Sequence, residues 1–95
     1  MNLEQALSEI GARLKRRRLN MDRSQKEIAI RAGIGINSVA RLEDGKGATL
    51  ANFIRVLNAL EALDSLESFL PAPAISPIQL AKLQGNLRQK ASRKS

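Results

Sequence analysis

Residues 24–45, SQKEIAIRAGIGINSVARLEDG, decide the fold of this chain. Ser24 and Glu27 have the spacing of a capping box, in which each side chain accepts a hydrogen bond from the other residue's backbone N–H. This pair predicts the start of a helix over residues 24–32. Gly33 then favours a helix end, because a residue without a Cβ adopts the left-handed conformation at little cost.

A second short helix is predicted over residues 36–44, directly after this turn. Val39 and Leu42 lie three positions apart on it and should face the core. Ala29 on the preceding helix is small enough to let the two helices cross closely. Two short helices joined by a tight glycine turn predict a helix-turn-helix.

The stretch resembles the DNA-binding domain of the phage repressor and Cro (XRE) family of bacterial regulators. The matching residues are Ser24-Gln25, Glu27-Ile28-Ala29, Ala32-Gly33-Ile34, Val39, Arg41-Leu42-Glu43 and Gly45-Lys46. The resemblance covers roughly residues 13 to 70. It implies an all-α fold, a five-helix lambda-repressor-like domain, with double-stranded DNA as its partner.

Apolar periodicity predicts the three remaining helices. The first runs from about Leu3 to Leu19, and Gly11 is a possible break or bend in it because glycine costs about 1 kcal/mol relative to alanine in a helix. Thr49 should cap a helix over residues 49–60. A second capping box, Asp64 with Glu67, should start a fifth helix that ends near Leu70.

Charge divides the chain of 95 residues into a domain, 1–70, and an extension, 71–95. The domain holds 11 basic and 9 acidic side chains, whereas the extension holds five basic side chains and no acid. Three prolines between positions 71 and 77 predict an extended linker. A basic, weakly amphipathic helix should follow and end in a disordered tail, usable for DNA backbone contact, partner binding or solubility.

Composition argues against several classes of function. The chain contains no Cys and no His, which excludes disulfides, thiol nucleophiles and zinc sites with those ligands. We therefore expect no enzyme activity, cofactor, metal or small-molecule substrate. The absence of an apolar run of about 18 residues and of a secretory signal predicts a cytoplasmic protein with no membrane partner.

The second helix of the motif is the candidate recognition helix, whose N-terminal residues should enter the major groove. Asn37 could form a bidentate pair with adenine, Arg41 could do so with guanine, and Ser38 could reach a base or a phosphate. Ile36 departs from the polar residue usual in the family. It could pack on a thymine methyl group, or equally in the core or a dimer contact.

Six residues are candidate phosphate contacts, namely Arg16, Arg17, Gln25, Lys46, Gly47 and Asn52. In the resembled family, a Gln at the start of the second helix bonds a phosphate, and the loop after the recognition helix follows the DNA backbone. For the two arginines, and for Arg13 beside them, a solvated helix face is an equal alternative.

Two further pairs of residues are expected to make protein–protein contacts, one inside the domain and one between subunits. The resemblance implies a structural ion pair between Arg18 and Glu43, which would hold the first helix to the third. Leu66 and Phe69 are candidates for a dimer interface, because the region after helix four commonly forms one in the family. Completion of the monomer core is an equal alternative for both.

These features together predict a dimeric, sequence-specific DNA-binding protein, a repressor and autoregulator acting on an inverted-repeat operator. The alternative is an antitoxin, since small repressor-like proteins with a short C-terminal extension resemble HipB-type antitoxins. Such a protein would neutralise a partner toxin through its C-terminal segment and would also autoregulate its operon.

Overall fold

A computed structural model of the chain describes residues 1–70 together with Ile78 and Lys82. The elements are α1 (Leu3–Asn20), α2 (Gln25–Ala32), α3 (Ile36–Glu43), α4 (Leu50–Ala59), a 3-10 turn (Leu63–Ser65) and α5 (Leu66–Phe69). Five helices and no strand occur in this part, so the all-α, five-helix prediction is confirmed. Apart from Ile78 and Lys82, the helix predicted after Ser76 lies outside the described residues. No helix in the described part is long and apolar enough to span a membrane.

Helix α1 is continuous through Gly11, so the possible break there does not occur. It starts with a capping box between Asn2 and Gln5, whose two hydrogen bonds measure 2.8 and 3.0 Å. A Cβ placed on Gly11 would lie 2.5 Å from the carbonyl oxygens of both Leu42 and Glu43. Glycine therefore occupies this position because α1 passes directly against the end of α3.

The helix-turn-helix forms as its local signals predict. Ser24 caps α2, and the two capping-box hydrogen bonds with Glu27 are each 3.1 Å. The bonds from Ser24 and from Arg23 hold the pKa of Glu27 below its ordinary value. Gly33 ends the helix in the left-handed conformation, with φ of 71°. Gly35 precedes α3 without a side-chain cap.

The capping box predicted at Asp64 does not form, which corrects the start of the fifth helix. Ser65, the residue before α5, already has helical dihedral angles, and no side chain caps it. The chain reverses at Glu61, where φ is 56°, and the amide of Ala62 bonds the carbonyl of Leu57 at 2.8 Å. It then enters the 3-10 turn directly, so no extended residue is left to serve as an N-cap.

The core is aliphatic and lies where α1, α2, α3 and α4 meet. Its fully buried side chains are Ile28, Val39, Val56 and Leu60. Ala29 is also buried, as close crossing of α2 and α3 requires. Phe53 packs against this core while only partly buried. Burial of these apolar groups is the main force that holds α3 in a fixed orientation.

Candidate nucleic-acid interface

The candidate interface consists of the first turn of α2, the outer face of α3 and the loop that joins α3 to α4. Both α1 and α2 pack on α3. The side of α3 that carries Val39 and Leu42 is buried. Only the opposite side of this helix is left to meet a partner.

Arg18 of α1 and Glu43 at the end of α3 form a buried, bidentate ion pair. Nε of Arg18 lies 2.6 Å from Oε2 of Glu43, and Nη2 lies 2.9 Å from Oε1. The two side chains are only 8% and 4% exposed. The remaining Nη1 of Arg18 donates to the carbonyl of Arg23 at 2.8 Å. One guanidinium thus joins α1, α3 and the link that leads into α2.

Gln25, the first residue of α2, is connected to this ion pair. Its Nε2 donates to Oε1 of Glu43 at 3.1 Å. Burial alone would raise the pKa of Glu43, but hydrogen bonds from Arg18 and Gln25, with the positive charges of Arg18 and Lys15, outweigh burial and lower it. The bond to Glu43 raises the pKa of Arg18. Both groups are therefore charged at neutral pH, and the Gln25 side chain has a fixed orientation.

The four candidate base contacts lie on the first six residues of α3. Asn37 and Arg41 are exposed and four positions apart, so they share one face of the helix. Ile36 is 45% exposed, which argues against the core alternative for this side chain. Ser38 is half-buried. The exposed face therefore combines an amide, a guanidinium and an apolar side chain.

The loop after α3 carries the exposed Lys46 between two glycines with positive φ, Gly45 at 74° and Gly47 at 94°. The Lys46 amide donates to the carbonyl of Arg41 at 2.9 Å, and Nη2 of Arg41 approaches the carbonyl of Lys46 at 3.4 Å. The loop is thus attached to the end of α3. Asn52, further along, accepts a hydrogen bond from Arg55 at 3.0 Å through Oδ1.

The neighbouring Arg16 and Arg17 have different surroundings. Arg17 donates from Nε to the carbonyl of Leu60 at 2.8 Å and from Nη2 to the carbonyl of Glu61 at 2.7 Å. Its guanidinium therefore holds the end of α4 to α1, which gives it a structural role that the sequence did not reveal. Arg16 is exposed.

The two dimer-interface candidates also differ. Leu66 is half-buried and packs against the core, as the monomer alternative requires, whereas Phe69 is 65% exposed.

Sequence reasoning missed the contact between Gly45 and Ser8, where a Cβ on Gly45 would lie 2.9 Å from the Cα of Ser8. The small size of both residues was the only available signal. Among the residues that the structure describes, no three carboxylates gather closely enough to hold a metal ion.

A comparison with protein families matches residues 9–69 to the helix-turn-helix domain. The matched range runs from Glu9 in the second turn of α1 to the last residue of α5, so it contains the candidate interface. A search of curated proteins gives no match.

Proposed function

The chain belongs to the helix-turn-helix domain family, and we propose that it is a dimeric repressor that binds a specific double-stranded DNA sequence. Helix-turn-helix domains bind DNA by placing their second helix in the major groove. The observation that carries the proposal is the exposed face of α3 with Asn37 and Arg41, together with the bond that joins Gln25 to Glu43 at the end of the same helix. This role needs access to the chromosome, in keeping with the cytoplasmic location expected from the sequence.

The exposed face of α3 would supply the choice of sequence. Asn37 pairs with adenine and Arg41 with guanine through two hydrogen bonds each, because their planar groups match the acceptors and donors of those bases. Ile36 would contact a thymine methyl group. Ser38, which is half-buried, would reach only a base edge or phosphate close to the helix.

Phosphate contacts would supply most of the affinity. The amide N–H groups at the start of α2, with the side chain of Gln25, suit one phosphate. Lys46 and the N–H of Gly47 would take another, and Asn52 and Arg16 would lie at the edge of the contact. Arg17 would support the domain instead, since two carbonyl groups already accept its hydrogen bonds.

A homodimer would place two recognition helices in successive major grooves, about 34–36 Å apart, on an inverted repeat. Phe69, with the exposed Leu70 next to it, is a candidate contact for this dimer. A domain of this size bound at a promoter would exclude polymerase from it. Control of its own promoter is the simplest arrangement for such a repressor.

The test is a titration of the protein against DNA from upstream of its own gene, with random DNA of equal length beside it. At near-physiological salt, we expect binding to the upstream DNA to be tighter by about a thousandfold or more. Footprinting would then give the operator and show whether it is an inverted repeat. Equal affinity for both DNAs over a range of salt would contradict sequence-specific binding.

A second candidate function is favoured by the extension 71–95, which lies outside the matched range 9–69. Its five basic residues and lack of acid suit an acidic protein surface. In this function the protein would be an antitoxin that holds a toxin through the extension and controls the shared operon. Co-expression with the product of the neighbouring gene should then relieve growth arrest, and deletion of residues 71–95 should abolish that relief.

A further inference from the structure

The first six residues of α1 lie outside the family match, which begins at residue 9, whereas the helix begins at Leu3. These residues, 3–8, form the α1 extension. Their last residue contacts the loop after α3. A Cβ on Gly45 would lie 2.9 Å from the Cα and 3.0 Å from the N of Ser8, and real Cβ atoms essentially never show the shorter of these distances. The backbones of the extension and of the loop are therefore in direct contact.

The extension also lies near the far end of the same loop. Leu7, which is half-buried, lines an apolar cleft with Leu42 at the end of α3, Ala48 in the loop and Leu50 at the start of α4. Ser8 thus lies against the beginning of the loop, and Leu7 shares a cleft with its end. Lys46 and Gly47 lie between these two points.

We propose that the α1 extension is a positioning element that fixes the loop so that Lys46 and the N–H of Gly47 meet a DNA phosphate. Ser8 and Leu7 are its positioning residues, and they act through the loop without touching DNA. This inference rests on the proposed DNA binding. The physical reason is that a loop displaced from α1 no longer brings Lys46 to the phosphate. A loop that is free to move also loses more conformational entropy on binding than a loop already held in place.

The experiment measures how the logarithm of DNA affinity changes with the logarithm of salt concentration, because this slope counts phosphate contacts. The variant Gly45→Ala would push the loop away from α1. Gly33→Ala is its control, since Gly33 has nearly the same φ, 71° against 74°, but nothing lies within 4 Å of its Cβ position. Both variants carry the same backbone strain, and only one disturbs the contact with Ser8.

For Gly45→Ala we expect weaker binding to specific and random DNA alike, with a slope smaller by up to about 0.9, one phosphate contact. Gly33→Ala should keep the slope of the parent chain. Lys46→Ala should lower the slope by a similar amount. Adding Gly45→Ala to Lys46→Ala should lower it little further, because both changes remove the same contact.

A second pair of variants tests the extension at Leu7, which lines the cleft. This pair tests the proposal even if Gly45→Ala does not fold. Leu7→Ala should weaken DNA binding and reduce the slope. Leu3→Ala removes the same atoms one turn earlier, at a side chain 73% exposed, and should change neither. Circular dichroism and thermal unfolding of each variant establish that the folded protein is being measured.

The outcomes separate this inference from the function on which it rests. A parent chain that shows no DNA binding would overturn the proposed function. Binding by the parent chain with an unchanged slope in Lys46→Ala, or in both Gly45→Ala and Leu7→Ala, would overturn the positioning role alone.

Discussion

The side-chain amide of Gln25 donates a hydrogen bond to the carboxylate of Glu43, joining the first residue of α2 to the last residue of α3. The same carboxylate accepts two hydrogen bonds from Arg18. The geometry between the two helices of the motif therefore depends on an ion pair with α1. A side chain proposed to meet phosphate is oriented by a carboxylate at the protein's interior.

We expect Arg18→Ala to lower the free energy of unfolding by about 3–5 kcal/mol, because it leaves the Glu43 carboxylate buried without its partner. Urea unfolding measures this change. Arg13→Ala is the control, since Arg13 pairs with Glu9 at the surface, where the side chains are 78% and 47% exposed. It should cost less than about 1 kcal/mol. Equal losses in the two variants would contradict a buried ion pair.

Acid should destabilise the protein through Glu43. Its pKa is lowered in the folded state, so it contributes stability above the pKa of an unfolded glutamate, about 4.3, and this stability is lost as pH falls through the folded pKa. Unfolding by urea between about pH 6 and pH 3 would measure the loss. Glu43→Gln, although less stable at neutral pH, should show a shallower decline, because it lacks this titrating carboxylate, whereas Glu27, whose pKa is also lowered, remains in both proteins. A decline of equal steepness would show that Glu43 does not titrate differently on folding.

Gly11→Ala should destabilise the domain by about 1–3 kcal/mol, since the added Cβ has to displace the end of α3. Helix propensity alone predicts the opposite, a gain of about 1 kcal/mol. Thermal unfolding distinguishes the two. Ala12→Gly at the adjacent exposed position measures the propensity effect by itself. A Gly11→Ala protein more stable than its parent would refute the close approach of α1 to α3.

Arg17→Ala should reduce stability by about 0.5–1.5 kcal/mol, because the carbonyls of Leu60 and Glu61 lose a charged donor at a largely exposed site. The adjacent Arg16→Ala should stay within about 0.5 kcal/mol of the parent chain, because Arg16 is also exposed but donates to neither of these carbonyls. Chemical unfolding of the two variants side by side measures the difference. Comparable stability of the two variants would contradict the structural role of Arg17 and return it to the candidate phosphate contacts.

Arg41→Ala should weaken binding to the specific site by about 1–3 kcal/mol and relax the choice of one base pair. Binding to random DNA should change much less, since a guanidinium that reads a base edge has no fixed partner there. Titrations of one variant against both DNAs measure this, with single-base substitutions across the operator locating the base pair. A parallel loss on both DNAs would assign Arg41 to phosphate instead.

Local signals made α2 and α3 predictable from the sequence. The capping box of Ser24 and the left-handed Gly33 act within a few residues of one another, so their spacing along the chain is sufficient. The capping box expected at Asp64 has the same spacing and does not form. The difference lies in the preceding chain, where the turn at Glu61 leaves Ser65 already helical. The spacing of Asp64 and Glu67 alone does not predict this conformation.

Contacts between distant residues were not predictable. Gly11 meets Leu42 and Glu43 about thirty positions later, and periodicity alone describes it only as a weak point in a helix. Arg16 and Arg17 are chemically identical neighbours, and only the tertiary position of the end of α4 distinguishes them. The recognition face of α3 was predictable as a set of residues, but the bond that holds Gln25 to Glu43 at the end of that helix required the structure.

The shortness of α2 and α3, eight residues each, has a consequence for the portability of the motif. Isolated helices below about 12–15 residues are marginal in water, so neither helix is stable without the 18 residues of α1 and the core beneath them. A synthetic peptide of residues 24–45 should be a random coil that does not bind the operator DNA. The smallest unit that could be moved into another protein with its DNA recognition intact is therefore the whole of α1 to α4.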